Sequence, residues 1–173
     1  MLSKARFIML SALLGIGTAG CGFHLRGAVD LPERAKAVYL EGIDRGQPFG
    51  QEFSELLSFA GGRVTSQRAE ATSVVHVIRA VQERRQLSLS KAGKANAFNL
   101  LYRIEYEITT PKGEVLMPRQ ELEISREYFN DQRFPLGQGE QEGLMRAEME
   151  REAAQTLLRR VRYAVKSASA SKT

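Results

Sequence analysis

The stretch that decides the fold is residues 98–108, which read FNLLYRIEYEI. Every second side chain from Phe98 to Ile108 is apolar or aromatic, and Arg103, Glu105 and Glu107 occupy positions between them. Successive side chains of a strand point to opposite faces of a sheet. The pattern therefore predicts a long strand with one buried face and one charged face.

Three further strands are predicted around this one. Residues 110–113 (TPKG) form a turn signal, and the strand after it sets Leu116, Leu122, Ile124 and Tyr128 against charged neighbours. Residues 73–90 read as a third long strand whose apolar phase shifts near 79–81, which predicts a bulge or bend. Residues 35–40 (AKAVYL) are a plausible first strand.

Two amphipathic helices complete the pattern, since apolar residues recur there at helical spacing. The first follows Pro48 and stops at Gly61 and Gly62; the second runs from about 140 to 166. Their apolar positions are Phe49, Phe53, Leu56, Leu57 and Ala60 in the first, and Leu144, Ala147, Ala154, Leu157, Leu158, Val161 and Val165 in the second. The order β-α-β-β-β-α predicts an α+β, two-layer sandwich, with a four-stranded, mostly antiparallel sheet covered by two helices.

The N-terminus has the organisation of a bacterial signal peptide. Lys4 and Arg6 make the first residues positive, and residues 7–20 carry no charge. That run is too short for about 30 Å of hydrocarbon but suits a signal-peptide core. The small residues Ala19 and Gly20 before Cys21 resemble a lipobox, although Thr18 departs from the usual aliphatic residue there.

We therefore expect cleavage before Cys21 and covalent lipid, palmitate among its acyl chains, on that cysteine. Each buried methylene contributes about 0.8 kcal/mol, so two or three chains hold a protein on a membrane durably. By the sorting habit of such lipoproteins, Gly22 implies transfer to the outer membrane. The predicted divisions are a signal peptide at 1–20, a lipidated cysteine and tether at 21–34, a domain at 35–166 and a disordered tail at 167–173.

Composition narrows the function classes. The formal charge is +5, from 25 basic and 20 acidic residues, which suits contact with acidic lipid. No dense basic stripe interleaved with aromatics is present, which argues against nucleic acid. A single cysteine excludes an internal disulfide and a multi-cysteine metal centre.

The residues give little sign of catalysis. His76 lies in a strand and His24 in the tether, so we interpret each histidine as structural or superficial. The carboxylate pairs, such as Glu121 with Glu123, lie on charged strand faces beside arginines, where cross-strand ion pairs are the simpler interpretation. We predict no catalytic residue, no metal site, no cofactor beyond the lipid on Cys21, and no enzyme; a periplasmic hydrolase is the weakest of three hypotheses.

The most suggestive polar stretch is residues 84–94 (RRQLSLSKAGK), which has four basic residues and no acid. It falls at a strand end and the following loop. Arg84, Arg85, Lys91 and Lys94 are the candidates for binding the phosphates of an anionic amphiphile, with neighbouring leucines touching acyl chains. A merely solvated hairpin tip stays open as the alternative.

The chain resembles the LptE family of LPS-assembly lipoproteins. The resemblance depends on Cys21-Gly22-Phe23-His24-Leu25-Arg26-Gly27, which looks like the family's opening C-G-[FW]-x-L-R. The predicted element order, the aromatic end of the last strand at 126–131 and the final helix around 151–154 support it.

The resemblance implies a role that composition could not indicate. A protein of this family plugs the LptD β-barrel, assists its assembly and binds lipopolysaccharide on its way to the outer leaflet. It implies an outer-membrane, periplasm-facing, lipid-anchored protein, with lipopolysaccharide contact near Lys91 and Lys94. The competing hypothesis is an independent periplasm-facing lipid-binding or scaffolding lipoprotein.

Overall fold

A computed structural model describes residues 31–89, 93, 95–129 and 138–170. In these ranges the strands are β1 (Ala37–Glu41), β2 (Arg63–Val64), β3 (Ser73–Leu89), β4 (Ala95–Thr109) and β5 (Val115–Phe129). The helices are α1 (Pro48–Phe59) and α2 (Gln138–Ala170), and short 3-10 turns lie at Glu33–Ala35 and Arg68–Glu70. Cys21, Lys91, Lys94 and the predicted signal peptide fall outside the described residues.

The strands form one mixed sheet in the order β2-β1-β3-β4-β5. β1 pairs in parallel with β2 and β3, whereas β3, β4 and β5 pair antiparallel. The prediction of an α+β fold is confirmed, but the prediction of four strands is wrong. β2 has only two residues, too few to show an alternating pattern, and it is held by backbone bonds such as Arg63 N–H to Lys36 O at 2.7 Å.

The core lies between one face of the sheet and both helices. Ile104, Tyr106 and Ile108 are fully buried, which confirms the alternation predicted for β4. In α1, Phe49, Phe53 and Leu57 are buried at i, i+4 and i+8, after Pro48 at the first turn. Pro is pre-organised for a helix start because its missing N–H needs no partner there.

α2 differs from its prediction at both ends. Its buried side chains begin at Met149, so Leu144 is 64% exposed and Ala147 is exposed, against the prediction that both face the core. At the other end the helix continues through Ala170, so the predicted disordered tail is wrong for residues 167–170. Alanine favours helix, and the Ser169 hydroxyl donates to the Val165 carbonyl at 2.9 Å.

A bulge in β3 sets which residues face the helices. The register against β4 shifts between Val77 and Arg79, next to the predicted position. Val77 lies opposite Tyr106, and Ala80 lies opposite Ile104. The β3 residues that face the core are therefore odd-numbered before the bulge and even-numbered after it. Gly42 packs there: its φ is +82°, and a Cβ would lie 2.0 Å from the Val77 carbonyl oxygen.

None of the described helices is both long enough and apolar enough to cross a membrane.

Candidate functional site

Two of the four basic candidates, Arg84 and Arg85, lie on a projecting part of the sheet that we call the arm. It comprises Arg79–Leu89 of β3 and the residues of β4 paired with them. β1 accompanies β3 only as far as His76, so within the described residues the sheet narrows from five strands to three along the arm. At about 3.3 Å per residue this segment of β3 is about 36 Å long.

The end of the arm exposes apolar side chains. Leu87 is 49% and Leu89 is 56% exposed, and Phe129, opposite Ala97 at the end of β5, is also exposed. Lys91 and Lys94 follow in the chain, outside the described residues. An exposed apolar tip that is followed in the sequence by two lysines has the chemistry needed for an anionic amphiphile.

Arg84 lies on the face of the sheet that carries the helices. Its guanidinium carbon is 3.8 Å from the centre of the Phe98 ring, and its Nε is 3.5 Å from the Glu142 carboxylate of α2. Stacking on an aromatic ring orients a guanidinium and leaves its edge donors available.

Arg85 lies on the opposite face. Its Nη2 is 2.7 Å from a carboxylate oxygen of Glu83, two residues earlier on the same face. The hydrogen bond and charge of Arg85 lower the pKa of Glu83. The two arginines that are adjacent in sequence therefore do not form one cluster, because neighbouring strand residues point apart.

A polar cluster between the arm and α2 was missed by the sequence analysis. Glu142 accepts a hydrogen bond from the Tyr128 hydroxyl at 2.5 Å and from Arg146 Nη2 at 2.7 Å. Arg146 also donates to Gln82 at 2.8 Å, and Gln82 donates to Glu150 at 2.5 Å. These polar positions were scattered over 69 residues of sequence, and only tertiary packing joins them.

The titration of the cluster follows from its contacts. Burial alone would raise the pKa of Glu142, but the hydrogen bonds from Tyr128 and Arg146 and the positive charges of Arg146 and Arg84 outweigh it and lower that pKa. Burial and the bond to Glu142 raise the pKa of Tyr128 to about 12. The carboxyl is therefore ionised and the phenol protonated at neutral pH.

The other face of the sheet carries the ion pairs that the sequence predicted. Arg103 lies 2.6 Å from Glu123 and 3.3 Å from Glu121, and Arg119 pairs with Glu105. His76 lies 3.3 Å from Glu107 across the strands. Each of these carboxylates is partly or fully exposed and lies in an ion pair with a basic side chain or His76. Nowhere in the described ranges do three or more His, Cys, Asp or Glu side chains group as a metal site would require.

The comparisons with known proteins agree across most of the chain. Residues 35–161 match the family model described as "LptE: Lipopolysaccharide-assembly". The LPS-assembly lipoprotein LptE of Pectobacterium atrosepticum is 26% identical over 157 residues, covering 90% of this chain and 84% of its own. That of Photorhabdus laumondii is 25% identical over 159 residues, covering 90% and 86%.

Solved structures agree with the fold. The solution NMR structure of an uncharacterised lipoprotein B from Nitrosomonas europaea has a TM-score of 0.70 at 28% identity, over 85% of this chain and 94% of that one. A minor lipoprotein from Acinetobacter baumannii has a TM-score of 0.62 at 19% identity, over 75% and 92%, which supports the fold alone. The match over residues 35–161 shows that the chain belongs to the LptE family of lipopolysaccharide-assembly lipoproteins.

Proposed function

We propose that the protein is an outer-membrane lipoprotein, anchored through Cys21 and facing the periplasm. In this role it plugs and assists assembly of an LptD-type β-barrel and binds lipopolysaccharide with the end of its arm. The observation that carries the proposal is the position of the arm relative to the start of the domain. The two lie at opposite ends of the sheet.

The chain enters the sheet beside the beginning of β3. The Thr72 hydroxyl donates to the Arg34 carbonyl at 2.8 Å, and Val38 pairs with Ser73. Leu31 comes ten residue steps after Cys21, so the lipid lies within about 35 Å of that end. The arm ends at Leu89, sixteen residues after Ser73, about 53 Å away along an extended strand.

This separation exceeds the roughly 30 Å hydrocarbon core of a bilayer. An anchor in one leaflet and an arm reaching the other would therefore place the domain at membrane depth. Its charged sheet face, with Arg103, Glu105 and Arg119, could not face lipid there, but it suits the polar lumen of a large barrel. The geometry thus supports a plug more than an independent lipid-binding lipoprotein.

The experiment reverses the two lysine charges that follow the arm in the sequence and measures two properties. In K91E/K94E we expect lipopolysaccharide to bind at least about tenfold more weakly, since each basic residue near an anionic surface contributes about 1 kcal/mol. The barrel should still co-purify with the variant. The control is K112E, the same change at the exposed turn between β4 and β5, at the other end of the sheet.

Three outcomes separate the hypotheses. Weaker lipopolysaccharide binding with an intact barrel complex supports the proposal. Equal binding by K91E/K94E and K112E would mean that the arm is solvated surface. Lipopolysaccharide binding that depends on the lysines, in a protein that never co-purifies with a barrel, would favour the independent lipoprotein.

A further inference from the structure

The Glu142 carboxylate contacts donor groups from both the sheet and α2. The Tyr128 hydroxyl and Arg84 come from the sheet, whereas Arg146 comes from α2 itself, one helical turn away. The Glu142 side chain is 18% exposed, so water reaches it only partly. The carboxylate therefore acts as the anion that neutralises this end of the arm.

The sheet would keep its donors in place without Glu142. The rings of Phe98 and Tyr128 stack with 5.5 Å between their centres. The Arg84 guanidinium lies over the Phe98 ring, 3.8 Å from its centre. Phe98 and Tyr128 are also directly opposite in the β4–β5 register. A guanidinium and a phenol held on an aromatic floor form a small receptor for an oxyanion.

The part of α2 that carries Glu142 is held by polar contacts and by the partly buried Met145, and not by fully buried side chains. No side chain described between Gly139 and Glu148 is buried, and the continuous core contact begins at Met149. Gly139 and Gly143 have open space where a Cβ would lie, and each glycine lowers helix stability by about 0.5–1 kcal/mol relative to alanine. Segments with few buried contacts open at low free-energy cost.

We propose that Arg84 and Tyr128 form an oxyanion site that Glu142 occupies in the free protein, and that a phosphate group of lipopolysaccharide takes its place when the start of α2 lifts. This inference builds on the proposed function and makes Glu142 a built-in competitor of the ligand. The exchange replaces one anion by another, so Arg84 is never left without a counter-charge.

The test is E142Q in the full-length lipoprotein, titrated with purified lipopolysaccharide. Glutamine keeps an acceptor for Tyr128 but removes the competing charge. We expect binding about two- to fivefold tighter, the equivalent of one partly exposed ion pair. E148Q, the same change at an exposed glutamate of α2, controls for net charge and should bind like the native protein. Circular dichroism checks that the helix content is kept.

Two further measurements assign the effect to the site. R84Q combined with E142Q should abolish the gain, and dephosphorylated lipopolysaccharide should not distinguish E142Q from the native protein. If the native protein binds lipopolysaccharide and E142Q binds equally or more weakly, this inference is overturned and the proposed function stands. If neither protein binds lipopolysaccharide, the proposed binding function fails with it.

Discussion

Two phenylalanines of α1 allow a matched test of how the helices are held on the sheet. Phe53 is fully buried and stacks on Phe49 with 6.4 Å between ring centres, whereas Phe59, six residues later, is 83% exposed. A buried phenylalanine removes about 200 Å² from water, worth about 5 kcal/mol at about 25 cal/mol per Å². Phe53→Ala should therefore lower the free energy of unfolding by about 3–5 kcal/mol.

Phe59→Ala makes the same chemical change at the surface and should alter the free energy of unfolding by at most about 0.5 kcal/mol. The assay is urea unfolding followed by far-ultraviolet circular dichroism, because the chain has no tryptophan to serve as a fluorescence probe. If the slope of the unfolding free energy against urea concentration is the same in both variants, the two measurements report the same unfolding transition. A loss below about 1 kcal/mol for Phe53→Ala, or an equal loss for Phe59→Ala, would refute the packing described above.

Three further predictions concern the glycines, the arm and the acid response. Gly42→Ala should destabilise by more than about 2 kcal/mol because of its positive φ and the clash with Val77, whereas Gly113→Ala, with open space around it, should cost about 1 kcal/mol, measured by urea unfolding. Hydrogen exchange should be slow for the backbone amides of 73–76, where β3 lies between β1 and β4, and faster for 87–89, near the end of the arm. The lowered pKa of Glu142 adds stability that is present above its ordinary pKa of 4.5 and is lost as the pH falls through the folded-state pKa. E142Q should therefore lose less stability than the native protein as the pH falls below 4.5.

The long strands could be predicted because the alternation in residues 98–108 reports burial directly. Leu100 and Ile104 are buried where the pattern places them, and Arg103 lies on the charged face. β2 could not be predicted, because a two-residue strand carries no period and depends on α1 returning the chain beside β1. The tail at 167–170 was misjudged since a Ser/Ala composition also continues a helix that is already packed at Val165.

The candidate site was predicted only in part. Arg84 and Arg85 were identified by charge, but the sequence could not say which of them faces the helices, because the bulge at Val77 and Arg79 sets the phase. Glu142 gave no signal at all, being one glutamate among several in a polar helix start. Its importance comes from contacts with β3 and β5 that only the tertiary structure creates.

The proposed function requires this lipoprotein to fit inside a larger membrane protein. The most direct measurement is the stoichiometry of the complex recovered from outer membranes in mild detergent, using the full-length, affinity-tagged protein. We predict one LptD-type β-barrel chain for each copy of this protein, with fatty acid on Cys21 in the mass spectrum. Recovery of the lipoprotein alone from the same membranes would contradict the proposal that it plugs a barrel.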